Sequence, residues 1–170
     1  TSRRKIMIEI HGDFWHRIKI DQYDGIVCSI NTTLNNKNHL IMGKGIAREF
    51  KERFCNLPID WGIKTQIIQN LGKYNSSVLS YQLSLLDIDR YCGVKYILGL
   101  PTKYHWQYNS IINLVVKGCK ELIITCDALG LKNILMTRPG CGNGRLEWNV
   151  VKREIDFLDD RFKIIHRLKE

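Results

Sequence analysis

Two glycine-rich turns, each set between an apolar strand-like run and a helix-like segment, constrain this chain more than any other feature. The first is Gly43-Lys44-Gly45 and the second is Pro139-Gly140-Cys141-Gly142-Asn143-Gly144. Ahead of the first lies Gly25-Ile26-Val27-Cys28-Ser29-Ile30, an uncharged run of the kind that is buried on both faces of a sheet. Behind it, Ile46, Ala47, Phe50 and Phe54 recur at helical spacing with Arg48, Glu49, Lys51, Glu52 and Arg53 between them. Around the second turn, Lys132–Thr137 reads as a strand and Trp148–Leu158 as a helix. A strand feeding a glycine turn and then a helix is the unit of a layered α/β domain. It aims backbone N–H groups and a helix N-terminus at the sheet edge, an arrangement suited to a diphosphate.

The rest of the chain fits that class. Lys5–Ile10 predicts a first strand ending at the turn His11-Gly12-Asp13. Short strands are expected at Thr65–Gln69 and Val78–Leu83, joined by Gly72-Lys73-Tyr74-Asn75. Val94–Leu100 is a strand stopped by Pro101, and Asn109 is the expected N-cap of a long helix that runs to Leu129 and stops at Gly130. Phe162–His166 is the last expected strand. Strands and helices alternate through the second half without repeat or linker, so the 170 residues are expected to form one domain, 1–170, with helices on both faces of a sheet.

Composition narrows the function classes. Lys plus Arg is 26 against 17 for Asp plus Glu, a net charge of +9, which favours polyanionic partners. The basic residues form dispersed clusters, at Arg3, Arg4 and Lys5, at Lys51 and Arg53, and at Arg161, Lys163, Arg167 and Lys169, so a nucleic-acid surface and a merely solvated basic face both stay open. Six cysteines show neither a C-x-x-C pair nor zinc-site spacing, so free thiols, no metal and no cofactor are expected. No apolar stretch approaches a membrane span and none precedes the first strand as a signal peptide, so a cytoplasmic protein without a membrane partner is expected.

The glycine turns exclude some nucleotide chemistries. Gly43-Lys44-Gly45-Ile46 lacks the G-x-x-x-x-G-K-[ST] spacing of a phosphate-binding P-loop. The second turn lacks the dinucleotide fingerprint, because Arg145 follows Gly142 by three and Glu147 follows Gly144 by three. One such loop alone would be read as glycines turning a corner. Two of distinct composition weaken that reading.

Four segments in order carry a resemblance: Ile26–Asn31, Ile41–Ala47, Leu100-Pro101-Thr102-Lys103-Tyr104-His105-Trp106, and Pro139–Trp148. Together they resemble the macro domain family, and most nearly its DarG-type branch of antitoxins that remove ADP-ribose from DNA. The resemblance spans nearly the whole chain. It implies a three-layer α/β/α fold around a mixed sheet, with an ADP-ribose cleft at the strand ends and a monomer as the working form. By matched position, it implies that Asp13 accepts a hydrogen bond from the adenine amino group and that Asn31 contacts the distal ribose. It likewise makes Gly43, Lys44, Gly45 and Ile46 the first phosphate loop, and Gly140, Cys141, Gly142, Asn143 and Gly144 the second. Each has a plainer alternative: Asp13 as a turn carboxylate, Asn31 as a cap, Lys44 as a solvated loop lysine. Cys141 sits mid-loop, but no thiol chemistry is implied there. In two places the chain departs from its relatives. Asn35, Asn36, Lys37, Asn38 and His39 lengthen the connection after Asn31, and Gly144 stands where a related branch that acts on glutamate carries an aspartate.

Breaking a bond at the anomeric carbon of the distal ribose requires protonation of the leaving group and support for developing positive charge. Lys103, just past the strand stopped by Pro101, matches the family lysine assigned to that carbon, as an electrophile or as a nucleophile on the ring-opened sugar; the nucleophile requires a lowered pKa. His105 is a candidate proton donor, and Tyr104 and Trp106 are candidates to stack a base of single-stranded DNA, although packed or rim aromatics are the plainer reading. The sequence therefore predicts an ADP-ribosyl hydrolase with Lys103 and Asn31 in catalytic roles. An ADP-ribose 1''-phosphate phosphatase and a non-catalytic ADP-ribose reader are the competing expectations.

Overall fold

A computed structural model describes residues 5–72 and 77–167. In chain order the elements are β1 (Ile8–Gly12), α1 (Phe14–Ile20), β2 (Gly25–Ile30), α2 (Gly45–Arg53), α3 (Leu57–Asn70), β3 (Leu79–Gln82), α4 (Leu85–Arg90), β4 (Tyr96–Pro101), α5 (Ile112–Leu129), β5 (Ile134–Thr137), α6 (Trp148–Glu154) and β6 (Phe162–Arg167). The six strands form one sheet in the order β1-β6-β5-β2-β4-β3. All neighbouring pairs are parallel except β3 with β4, so the sheet is mixed and five strands end at the same edge.

Strand alternation divides the core into two layers. Ile26, Cys28 and Ile30 of β2, with Ile97, Leu135 and Ile165, pack against Phe14, Trp15 and Ile18 of α1, Ala47 and Phe50 of α2, and Leu57 and Trp61 of α3. Val27, Leu98, Leu100, Ile134, Met136 and Ile164 face the other way, onto Val115, Cys119, Leu122 and Cys126 of α5 and Val151 of α6. The result is three layers, α/β/α. No helix among the described residues is long and apolar enough to cross a membrane.

The structure corrects several sequence expectations. Thr65–Gln69 is not a strand; it forms the later turns of α3, a 14-residue helix with a proline in its first turn. The β-branched residues at 65–68 suggested a strand, but Leu57, Trp61 and Thr65 are buried at i, i+4, i+8 on one helical face. Asn109 does not cap α5. The N-cap is Ile111, without a side-chain bond, because the backbone N–H groups of Ser110 and Ile111 are drawn to Gly144 O and Thr102 O, and these tertiary bonds set where the helix begins. Gly130 does end α5 in the left-handed conformation, with φ 69°. β1 starts at Ile8 rather than Lys5, and α6 stops at Glu154 rather than Leu158. Helices α1 and α4 are short and had no sequence expectation, although Asp13 and Ser84 cap them through side-chain bonds to the third residue on. The turn residues Lys73, Tyr74 and Asn75, and the basic residues Arg3, Arg4 and Lys169, lie outside the described residues.

Candidate active site

The chain leaves β2 toward β4 and β3 on one side and returns to β5 and β6 on the other, so a crevice opens beyond the end of β2. The loops that follow β1, β2, β4 and β5 surround it.

Two of those loops are the glycine turns, and the fold brings them into contact. Gly45 has φ +58°, and this backbone conformation is what favours glycine; a Cβ there would stand 2.7 Å from Asn143 Nδ2, the end of an exposed side chain. Gly43, Lys44 and Gly45 are exposed and Ile46 half-buried, at the start of α2. In the second loop Gly140 and Gly144 are buried, Cys141 is half-buried, and Gly142 and Asn143 are exposed. Burial pushes the Cys141 thiol up to about 11, which keeps it a thiol near neutral pH and removes it as a nucleophile.

Asp13 sits at the exposed head of α1, where Oδ1 accepts the His16 N–H at 2.7 Å. Its plainer role as a local cap is therefore real, and the cap fixes the carboxylate's direction. Helix α1 is in turn bound to α2, which follows the first glycine turn. Glu49 of α2 accepts the indole N–H of Trp15 at 3.0 Å and both terminal nitrogens of Arg167 at the end of β6. One carboxylate thus joins α1, α2 and β6 through a bidentate pair.

Asn31 is 7% exposed and its amide serves the protein. Nδ2 donates to Ile41 O at 2.9 Å and Oδ1 accepts the Thr33 N–H at 2.8 Å. These bonds use one donor and one lone pair of an amide that has two of each, and they hold it rigid beside the crevice. The next two residues carry the loop after β4: Thr32 Oγ1 and Thr33 Oγ1 donate to Tyr104 O at 2.8 and 3.2 Å, and Thr33 Oγ1 accepts the Trp106 N–H. Lys103 lies between Thr102, whose N–H donates to Ile30 O, and this anchored Tyr104. It is half-buried. Burial lowers the pKa of its ammonium, and the positive charge of Lys44 pushes in the same direction. Lys103 and Lys44, from loops far apart in sequence, are thus near enough for one charge to act on the other.

His105 Nδ1 accepts the Gln107 N–H, which leaves Nε2 to carry the proton of the neutral ring. Its ring stacks on Trp106 at 5.9 Å between centroids, and Tyr104 and Trp106 are 38% and 40% exposed. Sequence reasoning missed Thr32, Thr33 and Ser110. Ser110 N–H donates to Gly144 O, while its buried hydroxyl, without a partner among the described residues, faces Gly144. The pair of hydroxyls directly after Asn31 was the available signal for the first two. Nothing local marks Ser110.

No protein-family model matches the sequence. A DNA ADP-ribosyl glycohydrolase of Thermus aquaticus is 30% identical over 115 residues, 68% of this chain and 30% of the relative. The macrodomain of Thermus aquaticus DarG superposes with a TM-score of 0.67 at 23% identity, covering 96% of this chain and 98% of the other. The chain is a macro domain. Its sequence and fold are those of the DarG type. Thermosipho africanus DarTG, solved in complex with ADP-ribose, gives a TM-score of 0.68 at 22% identity over 95% of this macro domain and 43% of that chain. The macro domain spans about 30% of the length of the curated relatives it matches.

Proposed function

We propose that this macro domain binds ADP-ribose along the crevice and hydrolyses the bond between the distal ribose and an acceptor on single-stranded DNA. Lys103 carries the reading: a half-buried lysine with a lowered pKa, on an anchored loop, opposite two glycine loops that meet at Gly45 and Asn143. In this assignment Asp13 receives the adenine amino group, the N–H groups of Gly43–Ile46 and Gly140–Gly144 hold the pyrophosphate, and Lys44 adds positive charge. Asn31 offers its remaining N–H and lone pair to the distal ribose.

The reaction adds water at the anomeric carbon, breaks the bond to the acceptor base and returns a proton to that base. A lowered pKa brings Lys103 closer to the neutral amine that attack at that carbon requires, and the developing positive charge is stabilised by the nearby phosphates of the substrate. His105 stands on the same loop as a hydrogen-bond donor to the departing base, and the proton that base gains is the one the attacking water gives up. The net charge of +9 suits a DNA substrate, whose binding would weaken as salt rises.

The test is release of free ADP-ribose from single-stranded DNA ADP-ribosylated on thymine, with wild type and Lys103→Ala side by side. Release by wild type alone supports the reading. Binding of ADP-ribose without release by either protein replaces it with a reader, and release of phosphate from ADP-ribose 1''-phosphate alone replaces it with the phosphatase.

A further inference from the structure

Beside Lys103, on the side away from the glycine loops, an open groove of about 550 Å³ runs between the loop after β2 and the C-terminal half of α3. Five side-chain amides line it: Asn35, Asn38, Gln66, Gln69 and Asn70. Tyr104 and His105 form its end next to Lys103, and among the described residues no carboxylate or cation lines it. We propose that this groove is a subsite for the nucleotide flanking the modified base, reading that neighbour's base edge. This inference rests on the DNA hydrolase reading above.

The chemistry of the lining favours a base over a phosphate or a peptide carboxylate. Amides offer a donor and an acceptor together, the combination that base edges require, whereas a phosphate site calls for cations. Tyr104 and the His105–Trp106 stack give that end of the groove an aromatic edge. The volume falls in the range of sites that enclose a small molecule and suits one nucleotide. Asn38, Gln66 and Asn70 make no side-chain hydrogen bond to another described residue, so their amides need not break a protein bond to meet a ligand. Gln69 alone of the α3 amides is committed, donating to Thr32 O at 3.4 Å, which ties the helix to the floor of the groove.

The wall formed by residues 35–39 is the segment that departs from the antitoxin pattern, and it is held firmly. A Cβ at Gly62 would run into Asn38 O and stand 2.9 Å from His39 Cα, so only glycine lets α3 approach the loop this closely. Leu40 N–H donates to Pro58 O at 2.9 Å, and Asn35 Oδ1 accepts the N–H groups of both Lys37 and His39. A wall braced in this way costs little ordering when a ligand arrives.

The test uses Gln66→Ala/Asn70→Ala, which removes two exposed amides four residues apart on α3 and leaves its buried face intact. Release of ADP-ribose is followed from an ADP-ribosylated mononucleotide and from oligonucleotides that carry each of the four bases beside the modified one. Wild type is expected to favour one flanking base. The variant is expected to lose that preference and about tenfold in kcat/KM on the oligonucleotide, mainly through KM, with the mononucleotide unchanged. Equal behaviour of variant and wild type on every oligonucleotide overturns the subsite. If wild type releases nothing from any DNA, the hydrolase reading fails, and the groove is judged separately by fluorescence anisotropy of an unmodified labelled oligonucleotide with saturating ADP-ribose. Binding that the double variant weakens about tenfold upholds the groove; no binding, or equal binding, overturns it.

Discussion

At the end of the crevice proposed to take the pyrophosphate, Gly43–Ile46 and Gly140–Gly144 present mainly backbone, and the Asn143 amide lies beside Gly45. At the acceptor end, Lys103, Tyr104 and His105 hang from the hydroxyls of Thr32 and Thr33, beside a groove walled by amides. A backbone site depends on conformation that glycine permits, and it holds any ligand bearing the same diphosphate. A side-chain site depends on individual hydrogen bonds, so single substitutions retune it. On the function proposed above, the first end would govern whether ADP-ribose binds, and the second what is cut from it.

The sharpest break between the ends is expected from Lys103→Ala. Glycohydrolysis falls at least ~100-fold, while titration calorimetry finds the affinity for free ADP-ribose within a few-fold of wild type. An equal loss in both measurements would place Lys103 at the phosphate end instead. Gly45→Ala should do the converse. A φ of +58° and the nearby Asn143 amide resist a Cβ, so affinity for ADP-ribose drops about tenfold and thermal unfolding registers a cost of about 1 kcal/mol. Thr32→Val removes a hydroxyl that donates to Tyr104 O and is expected to lower stability by about 1 kcal/mol, with a larger loss in kcat than in ADP-ribose affinity.

The smallest effect is a shift in pH dependence. Lys103 has a lowered pKa partly because Lys44 is charged nearby, so Lys44→Gln should move the Lys103 titration upward. For a neutral-amine role, kcat rises with pH through that titration, and the rising limb moves to higher pH in the variant. A rate that falls with pH through the same titration would assign the cationic, electrophilic role to Lys103.

The same contrast explains what was legible in the sequence. Gly43–Gly45 and Gly140–Gly144 announced their loops because a left-handed or crowded backbone leaves a compositional trace. The strands on either side announced themselves as apolar runs. The face made by α5 and the sheet was equally plain, since the long apolar segment ending at Gly130 could pack in few other ways. The opposite face was not. α1 and α4 are too short to show a period, and α3 was misread at Thr65–Gln69 because its β-branched residues were weighed without the buried Leu57 and Trp61 that precede them. Lys103 was singled out through the residues flanking it, but the support of its loop by Thr32 and Thr33 crosses more than 70 positions. The amide groove is still less visible, because it is made by two separate segments, the loop after β2 and α3, that are joined at Gly62, at Leu40 to Pro58 and at Gln69 to Thr32.

The strand order also has a consequence for synthesis. β6 lies between β1 and β5, so β1, made first, has no neighbour to pair with until β6 has left the ribosome. Arg167 at the end of β6 also supplies the partner of Glu49, the residue that binds α1 to α2. A nascent chain can assemble β2, β4 and β5 early, but the adenine-side half of the crevice must wait. Completion of this end of the sheet is thereby coupled to synthesis of β6, and fragments released early would display β1 without its partner strand and Glu49 without Arg167.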